Sequence, residues 1–513
     1  MNFLRAVRLR ASRFGAIALC ATGLACSSNP PPSTHPSTPK LTRAVRQLQT
    51  DLTTVFNAPV MARGVWGVDI RSVDSGEILF QHSAERLMMP ASNMKILTLA
   101  AAAQTLGWDY RFTTTLETTA VVESGVVRGD VIVRGNGDPT INTRDKRAAM
   151  VFDQWAQALR EAGITAIDGR VIGDDQAFDD EGVGPGWSWD YLEAGYASPI
   201  GALQYNENTA EITIAPGAAV GDPAVVTMAA GTGLTLSNLA TTIEAGAGGP
   251  RVSVNVHRRI DRPEIELTGT VAMGIAPSRR TIAVLNPTLY FARAVKDALS
   301  SRGIEVRGDA VDADDIAAEL IATASAERLV LARTESPALR DIATVLMKVS
   351  QNQYAETLLK AIATKNGAVG TTDSGRAVAI ETFSSWNIPR DAYVMSDGSG
   401  LSRYNYVAPT TVTAVLRRMY DDPAHREAFL ATLPIAAKDG TISTRMRKTR
   451  AAENAVAKTG SIANVRSLSG FVKSRDGETL VFSIIANDFV IPAATVTWIA
   501  DLAVETLSNF TRR

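Results

Sequence analysis

Two hydrophobic periods alternate along this chain, and the switches between them outline its organisation. "LTRAVRQLQTDLTTVF" spaces its apolar residues as a helix does. "GVWGVDIRSVDSGEILFQHSAE" follows with the two-residue period of strands, and "DSGE" reads as the hairpin turn between them. Next comes "MMPASNMKILTLAAAAQTLG". From Ile96 onward it is nearly all apolar and rich in Ala, which predicts a helix buried on most of its sides, with Pro90 in its first turn and Gly107 at its stop.

From about residue 110 to 320 the texture changes. Short β-rich runs such as "GVVRGDVIVRGNGDPT", "TAEITIAPG", "RVSVNVH" and "EIELTGTV" alternate with Gly and Asp. Helical spacing is clear only in "VFDQWAQALREAG" and "LYFARAVKDALSSRG". Helical texture returns with "SPALRDIATVLMKVSQNQYAETLLKAIATK". The stretch "AENAVAKTGSIANVRSLSGFVKSRDGETLVFSIIANDF" then reads as two or three neighbouring antiparallel strands, and "AATVTWIADLAVETLSNF" as a last helix. The two ends of the sequence are expected to form one α/β (α+β) domain, 41–111 with 319–513, in which helices flank an antiparallel sheet. Two inserted modules are expected between them: a β-rich one from 112–140 and 216–318, and a second from 141–215.

The first 40 residues belong to a different class. Arg5, Arg8, Arg10 and Arg13 precede the apolar run "FGAIALCATGLAC", with no acidic residue among the first 25. That is the form of a secretory signal peptide over 1–25, and its removal would take the formal net charge from -1 to about -5. Cys20 and Cys26, the only cysteines, lie in or beside this run, so the body has no disulfide, thiol nucleophile or cysteine metal cluster to offer. "GLAC" followed by "SSNPPPSTHPSTPK" resembles a bacterial lipoprotein start. The resemblance implies acyl chains on Cys26 and a Pro/Ser-rich tether over 26–40; cleavage by ordinary signal peptidase and release is the other reading. Localisation in the cell envelope or periplasm follows in either case. The charge gives no argument for nucleic-acid binding, and no apolar run reaches the ~18 residues of a membrane-spanning helix.

Lys95 is the anomaly in the buried helix. It stands three residues after Ser92, and positions i and i+3 of a helix share a face. A serine hydroxyl becomes a good nucleophile when a neighbouring base takes its proton. A lysine can be that base only when neutral, which burial and a second nearby cation both favour. A helix cap with a snorkelling lysine explains the same pair without chemistry. Two further elements shift the balance: Ser350-Gln351-Asn352 where two helical patterns meet, and Lys458-Thr459-Gly460 on an expected strand.

Ser-x-x-Lys, Ser-x-Asn and Lys-Thr-Gly in this order, each on the right kind of element, form the signature of serine penicillin-recognising enzymes, with a β-lactamase/transpeptidase-like fold. Lys95 and Ser350 are about 255 residues apart. So long an insert resembles the D-alanyl-D-alanine carboxypeptidase/endopeptidase group of low-molecular-mass penicillin-binding proteins, as do "GNGDPT", "SDGSGLSRYN" and "LPIAAKDGTISTRM". A β-lactamase or serine esterase would use the same trio; an inactive peptidoglycan-binding scaffold would not need it whole.

The resemblance implies that Ser92 attacks the penultimate D-Ala carbonyl of a peptidoglycan stem peptide while Lys95 takes its proton. Ser350 would relay a proton to the leaving amine, and Asn352 would orient Lys95 or the substrate amide. Lys458 would supply positive charge that keeps Lys95 neutral and, with Thr459, hold the substrate carboxylate. Gly460 would let substrate approach the strand, and the backbone N–H groups of Ser92 and Ser461 would form the oxyanion hole. β-Lactam antibiotics would acylate Ser92. Neither metal nor cofactor is implied, and the four scattered histidines, His35, His82, His257 and His425, read as solvated or structural residues. In "SDGSGLSR", Ser399 or Arg403 is expected to shape substrate access, unless the stretch is a plain Gly-rich turn. The carboxylates of "IGDDQAFDD" either solvate a loop or meet a cationic group of the stem peptide. The sequence leaves the oligomeric state open.

Overall fold

The computed structural model describes residues 42–246, 252–259, 262–316, 327–365 and 367–513. Cys26 and the stretches expected to be a leader and a tether lie outside them.

A five-stranded sheet organises the region formed by the two ends of the described chain. Its order is Ile78–His82, Val65–Ser72, Thr479–Asn487, Val465–Lys473 and Val456–Ile462, and every neighbouring pair is antiparallel. The central strand Thr479–Asn487 is almost wholly buried, because helices cover both faces of the sheet. Side chains alternate between those faces. Val481 and Ile485 join the apolar cluster under the buried helix Met94–Leu106, whereas Leu480, Phe482, Ile484 and Ala486 join the one under Arg43–Phe56 and Ala493–Asn509. The first and last described helices thus lie on the same face.

On the other face, Met94–Leu106 is buried from Met94 through Ala103. The small side chains Ala100 to Ala103 let neighbouring helices come close, and Asn352–Thr364, Thr372–Ser385 and Pro409–Asp421 surround it. Two of these helices meet closely at Gly375, where an added Cβ would stand 1.9 Å from the Leu359 carbonyl oxygen. That contact seats Thr372–Ser385 against the helix that carries Asn352.

Between Phe112 and Ser336 the chain leaves this sheet. Five strands in the order Ala310–Asp312, Val171–Asp174, Val131–Gly135, Thr113–Thr118 and Leu329–Glu335 form a second sheet, packed with the helices Arg147–Glu161 and Pro287–Ser301 around their own apolar cluster. The described residues between 209 and 283 form two three-stranded sheets with a separate cluster: Val225–Met228, Thr209–Ala215, Ser278–Ala283, and Thr235–Ile243, Glu264–Ala272, Val252–Arg258.

This grouping differs from the expected division in two ways. The nested piece is 209–283 rather than 141–215. And Leu329–Glu335 pairs with Thr113–Thr118, so the return to the first sheet falls after 335 and not at 319. The cause is the amphipathic helix Arg147–Glu161, whose Val151, Phe152, Trp155 and Leu159 fill the core of the second sheet. A split by local β texture cannot register a helix that packs onto strands far along the chain.

Replacing Gly375 by Ala should overpack the helix pair and cost about 1–3 kcal/mol of stability. Urea unfolding would read this as a lower midpoint; an unchanged midpoint would contradict the close approach.

Candidate active site

Ser92 owes its position to a bend and a bolt. Ala91 adopts φ +46°, a left-handed conformation uncommon outside Gly, and a single 3₁₀ turn Ala91–Asn93 leads into the helix Met94–Leu106. The buried Asn93 side chain fastens that turn to the sheet. Its Nδ2 donates to the Lys458 carbonyl at 2.9 Å, and its Oδ1 accepts from Ser469 Oγ at 2.6 Å. Ser467 Oγ donates to the Pro90 carbonyl at 2.7 Å. The strand Val456–Ile462 is an edge strand, but this lattice of bonds holds it beside the nucleophile turn.

Lys95 is fully buried, and its Nζ has three partners: Ser92 Oγ at 3.0 Å, Asn352 Oδ1 at 2.6 Å and the Ser399 carbonyl at 2.7 Å. A carbonyl oxygen only accepts. The Asn352 amide is oriented by its own Nδ2, which donates to the Tyr196 carbonyl at 2.7 Å, so Oδ1 faces the amine as an acceptor. A neutral amine has two N–H groups and one lone pair. With two partners that can only accept, the lone pair is left facing Ser92 Oγ, the one partner with a proton to give. Burial lowers the Lys95 pKa to about 7, against the opposing pull of the Asp397 and Glu356 charges.

Lys458 is equally buried. Its Nζ donates to Ser350 Oγ at 2.7 Å and to the Thr459 carbonyl at 2.8 Å. Burial, and then the charge of Lys95, push it well below the ordinary lysine range. The two amines disfavour each other's proton, and the buried carboxylates lie on the Lys95 side. Ser350 itself sits at φ +64° in the junction between the helices Leu339–Lys348 and Asn352–Thr364, which turns its hydroxyl toward Lys458.

Those carboxylates were not anticipated. Glu356, one helical turn after Asn352, accepts from the backbone N–H of Gly398 at 2.9 Å and of Ser399 at 2.8 Å. Burial, with Asp397 adding to it, pushes Glu356 up to about 7. Asp397 accepts from Gly400 N, Ser402 N, Asn405 Nδ2 and the indole Nε1 of Trp187. The loop "SDGSGLSR" is therefore wound around one buried carboxylate and clamped by another. Gly400 is required there: it has φ +83°, and a Cβ would stand 1.8 Å from the Ala91 carbonyl oxygen.

Above these groups lies a cavity of about 380 Å³ lined by Ser92, Ser350, Asn352, Gly400, Leu401, Ser461, Ile462 and Ala463, with Tyr191 and Tyr196 contributed by the insert. Gly460 lies against the nucleophile turn, where a Cβ would come within 2.9 Å of Ser92 N. Thr459 is half-buried and its Oγ1 donates to Thr441 Oγ1 at 2.8 Å.

Ser399 is placed differently from expectation. It is fully buried, its carbonyl accepts from Lys95, and its Oγ accepts from Leu401 N, so it braces Lys95 and does not line the cavity. Arg403 is half-buried and donates to the Ala463 carbonyl at 3.1 Å, bracing the cavity's rim.

The other acidic motifs have protein partners, one within the insert and one across to the helix Asn352–Thr364. Asp138 of "GNGDPT" accepts from Thr140 and Arg147, and Asp179 of "IGDDQAFDD" pairs with Lys360. Asp175, Asp312 and Asp314 bring carboxylate oxygens within 4.8 Å of one another, but they share no residue with the cavity. Glu356 had a sequence signal in its helical spacing from Asn352, and Asp397 in its place between Ser396 and two glycines. Trp187, Tyr191 and Tyr196 had none.

Comparison with known proteins gives the same outline. Residues 48–506 match the model of the D-Ala-D-Ala carboxypeptidase 3 (S13) family. A D-alanyl-D-alanine carboxypeptidase from Actinomadura sp. (strain R39) is 32% identical over 87% of this chain and 82% of its own. The D-alanyl-D-alanine carboxypeptidase DacB of Haemophilus influenzae is 27% identical over 82% of this chain and 85% of its own. The crystal structure of penicillin binding protein 4 (dacB) from Haemophilus influenzae superposes with a TM-score of 0.76 at 24% identity, covering 91% of this chain and 99% of that one, and so shares its fold. Matched over nearly all of its described length, the chain belongs to the D-Ala-D-Ala carboxypeptidase 3 (S13) family.

Proposed function

We propose that this chain removes the terminal D-Ala of peptidoglycan stem peptides through an acyl-enzyme on Ser92, with Lys95 as the base. One observation carries the reading: Lys95 is buried, and its two other partners can only accept, which aims its lone pair at the Ser92 hydroxyl.

In the first step Lys95 Nζ takes the Ser92 proton as Oγ bonds to the carbonyl carbon of the penultimate D-Ala. The new ammonium forms 2.6 Å from Asn352 Oδ1 and 2.7 Å from the Ser399 carbonyl, above two buried carboxylates, so its charge is met where it develops. The carbonyl oxygen becomes an oxyanion held by the N–H groups of Ser92 and Ser461. The C–N bond then breaks, and the proton that Lys95 took passes by way of Ser350, whose hydroxyl is hydrogen-bonded to Lys458, to the leaving amine, which leaves Lys95 neutral again. Water attacks the ester by the reverse sequence and frees Ser92.

Lys458 has a second part in this scheme. A substrate carboxylate arriving beside Thr459 would favour a proton on Lys458, and that charge would push Lys95 further down. Binding of the right substrate would thus free the base. Endopeptidase cleavage of cross-links needs the same acyl chemistry with a bulkier leaving group. The proposed site of action is the cell envelope, reached through the leader at 1–25 and held there by acyl chains on Cys26.

A fluorescent penicillin should form a long-lived adduct with the purified protein, and Ser92→Ala should form none. Lys95→Ala should label at least about 10³-fold more slowly. Normal labelling of Ser92→Ala would overturn the nucleophile assignment; rapid antibiotic hydrolysis would point to a β-lactamase.

The pH dependence has a definite sign. Neutral Lys95 is the active form, and its pKa is lowered to about 7. The acylation rate should therefore fall about tenfold per unit as the pH drops below about 7, and level off above it. A rate that still rises tenfold per unit past the neutral range would mean a lysine of ordinary basicity.

A further inference from the structure

The stretch Gly184–Ala197 belongs to the insert, yet it reaches into the catalytic region. Tyr196 accepts the Asn352 amide bond, and Ser402 Oγ donates to the Pro185 carbonyl at 2.6 Å. Trp187 goes deepest. It is buried with Ala197, Ile200 and Leu401, and its Nε1 donates to Asp397 Oδ2 at 2.9 Å. The chain before it is shaped to admit the indole: a Cβ at Gly184 would stand 2.4 Å from Trp187 Nε1, and Gly186 has φ +75°.

Asp397 accepts four hydrogen bonds, two at each oxygen: Gly400 N at 2.7 Å and Asn405 Nδ2 at 2.6 Å on Oδ1, Ser402 N at 2.6 Å and Trp187 on Oδ2. Four is the capacity of a carboxylate. Of these donors, only Trp187 comes from outside the loop. The same loop presents the Ser399 carbonyl to Lys95 Nζ.

We propose that Trp187 is a positioning residue for Lys95: its indole N–H completes the donor shell of Asp397, which fixes the Ser399 carbonyl and moderates the carboxylate's field at the amine. This rests on the reading of Lys95 as the base. The insert is then a working part of the catalytic centre, since it supplies the last donor to the anion beneath the base.

The groups around Lys95 are Ser92 from the nucleophile turn, Asn352 and Glu356 from their helix, Ser399 and Asp397 from the loop, and Lys458 from the edge strand. Removing one donor from Asp397 leaves its negative charge less compensated, which holds the Lys95 proton more tightly. Removing the charge does the reverse.

The test measures the acylation rate of the full chain with a fluorescent penicillin from mildly acid to mildly alkaline pH. Trp187→Phe keeps a ring in the pocket and deletes the donor. It should acylate about 10-fold more slowly, with the acid limb moved up by roughly half a unit. Asp397→Asn should move the limb down. Opposite movements support the proposal, because a general loosening would slow both variants without moving either limb. A wild-type rate and limb in Trp187→Phe, or slow variants with unmoved limbs, would overturn it. If Trp187→Phe does not fold, Trp187→Leu, which also lacks the N–H donor, decides: a raised limb supports the proposal and an unmoved one overturns it. Lys95→Ala, run alongside, separates the two levels. If it acylates normally the base assignment itself fails; if it is inert while Trp187→Phe behaves as wild type, only this inference fails.

Discussion

A lysine amine shut away from water, with its lone pair directed at a serine, is the constraint on which the rest of this structure depends. An ammonium ion is among the most costly groups to bury, and proteins commonly avoid the cost by giving up its proton. Here the cost is put to chemical use. The helix Met94–Leu106 is buried from Met94 through Ala103, so Lys95 cannot snorkel to water. Two acceptors take its N–H groups, and what remains points at Ser92.

Burial alone would overshoot. A lysine held neutral too firmly would be too weak a base to take a serine proton, and the ammonium formed in the transition state would have no counter-charge. Asp397 and Glu356 limit this by pulling the Lys95 pKa back toward neutrality. They are buried too, and are held by backbone N–H groups of the loop they organise. Lys458 has no such support; its bonds go to a hydroxyl and a carbonyl. The site thus holds four buried ionisable groups and not a simple pair of cations; in the proposed mechanism this gives substrate charge a way to act on Lys95.

Much of this was legible in the sequence, for identifiable reasons. The Ser92–Lys95 pair follows from helical spacing, and the reading of two or three closing strands follows from long apolar runs broken by a turn. Local pattern carries that kind of information. It does not carry which distant segments share a core, and the grouping of the strands between 209 and 283 depends on such contacts. Nor does it say which face of a loop turns inward. Ser399 was expected to meet substrate because it sits in a Gly-rich loop near the site, whereas the Asp397 hydrogen bonds wind the loop so that its backbone faces Lys95. Trp187 and Tyr196 reach the site by tertiary placement alone, from a segment whose pattern showed no chemistry.

The central claim is that Lys95 is substantially neutral near neutral pH in the resting enzyme. NMR of the lysine side-chain amines, with the Lys95 signal assigned by its loss in Lys95→Ala, reads this directly. The account predicts a titration midpoint for Lys95 close to 7. A midpoint near 10, where an exposed lysine titrates, would contradict it.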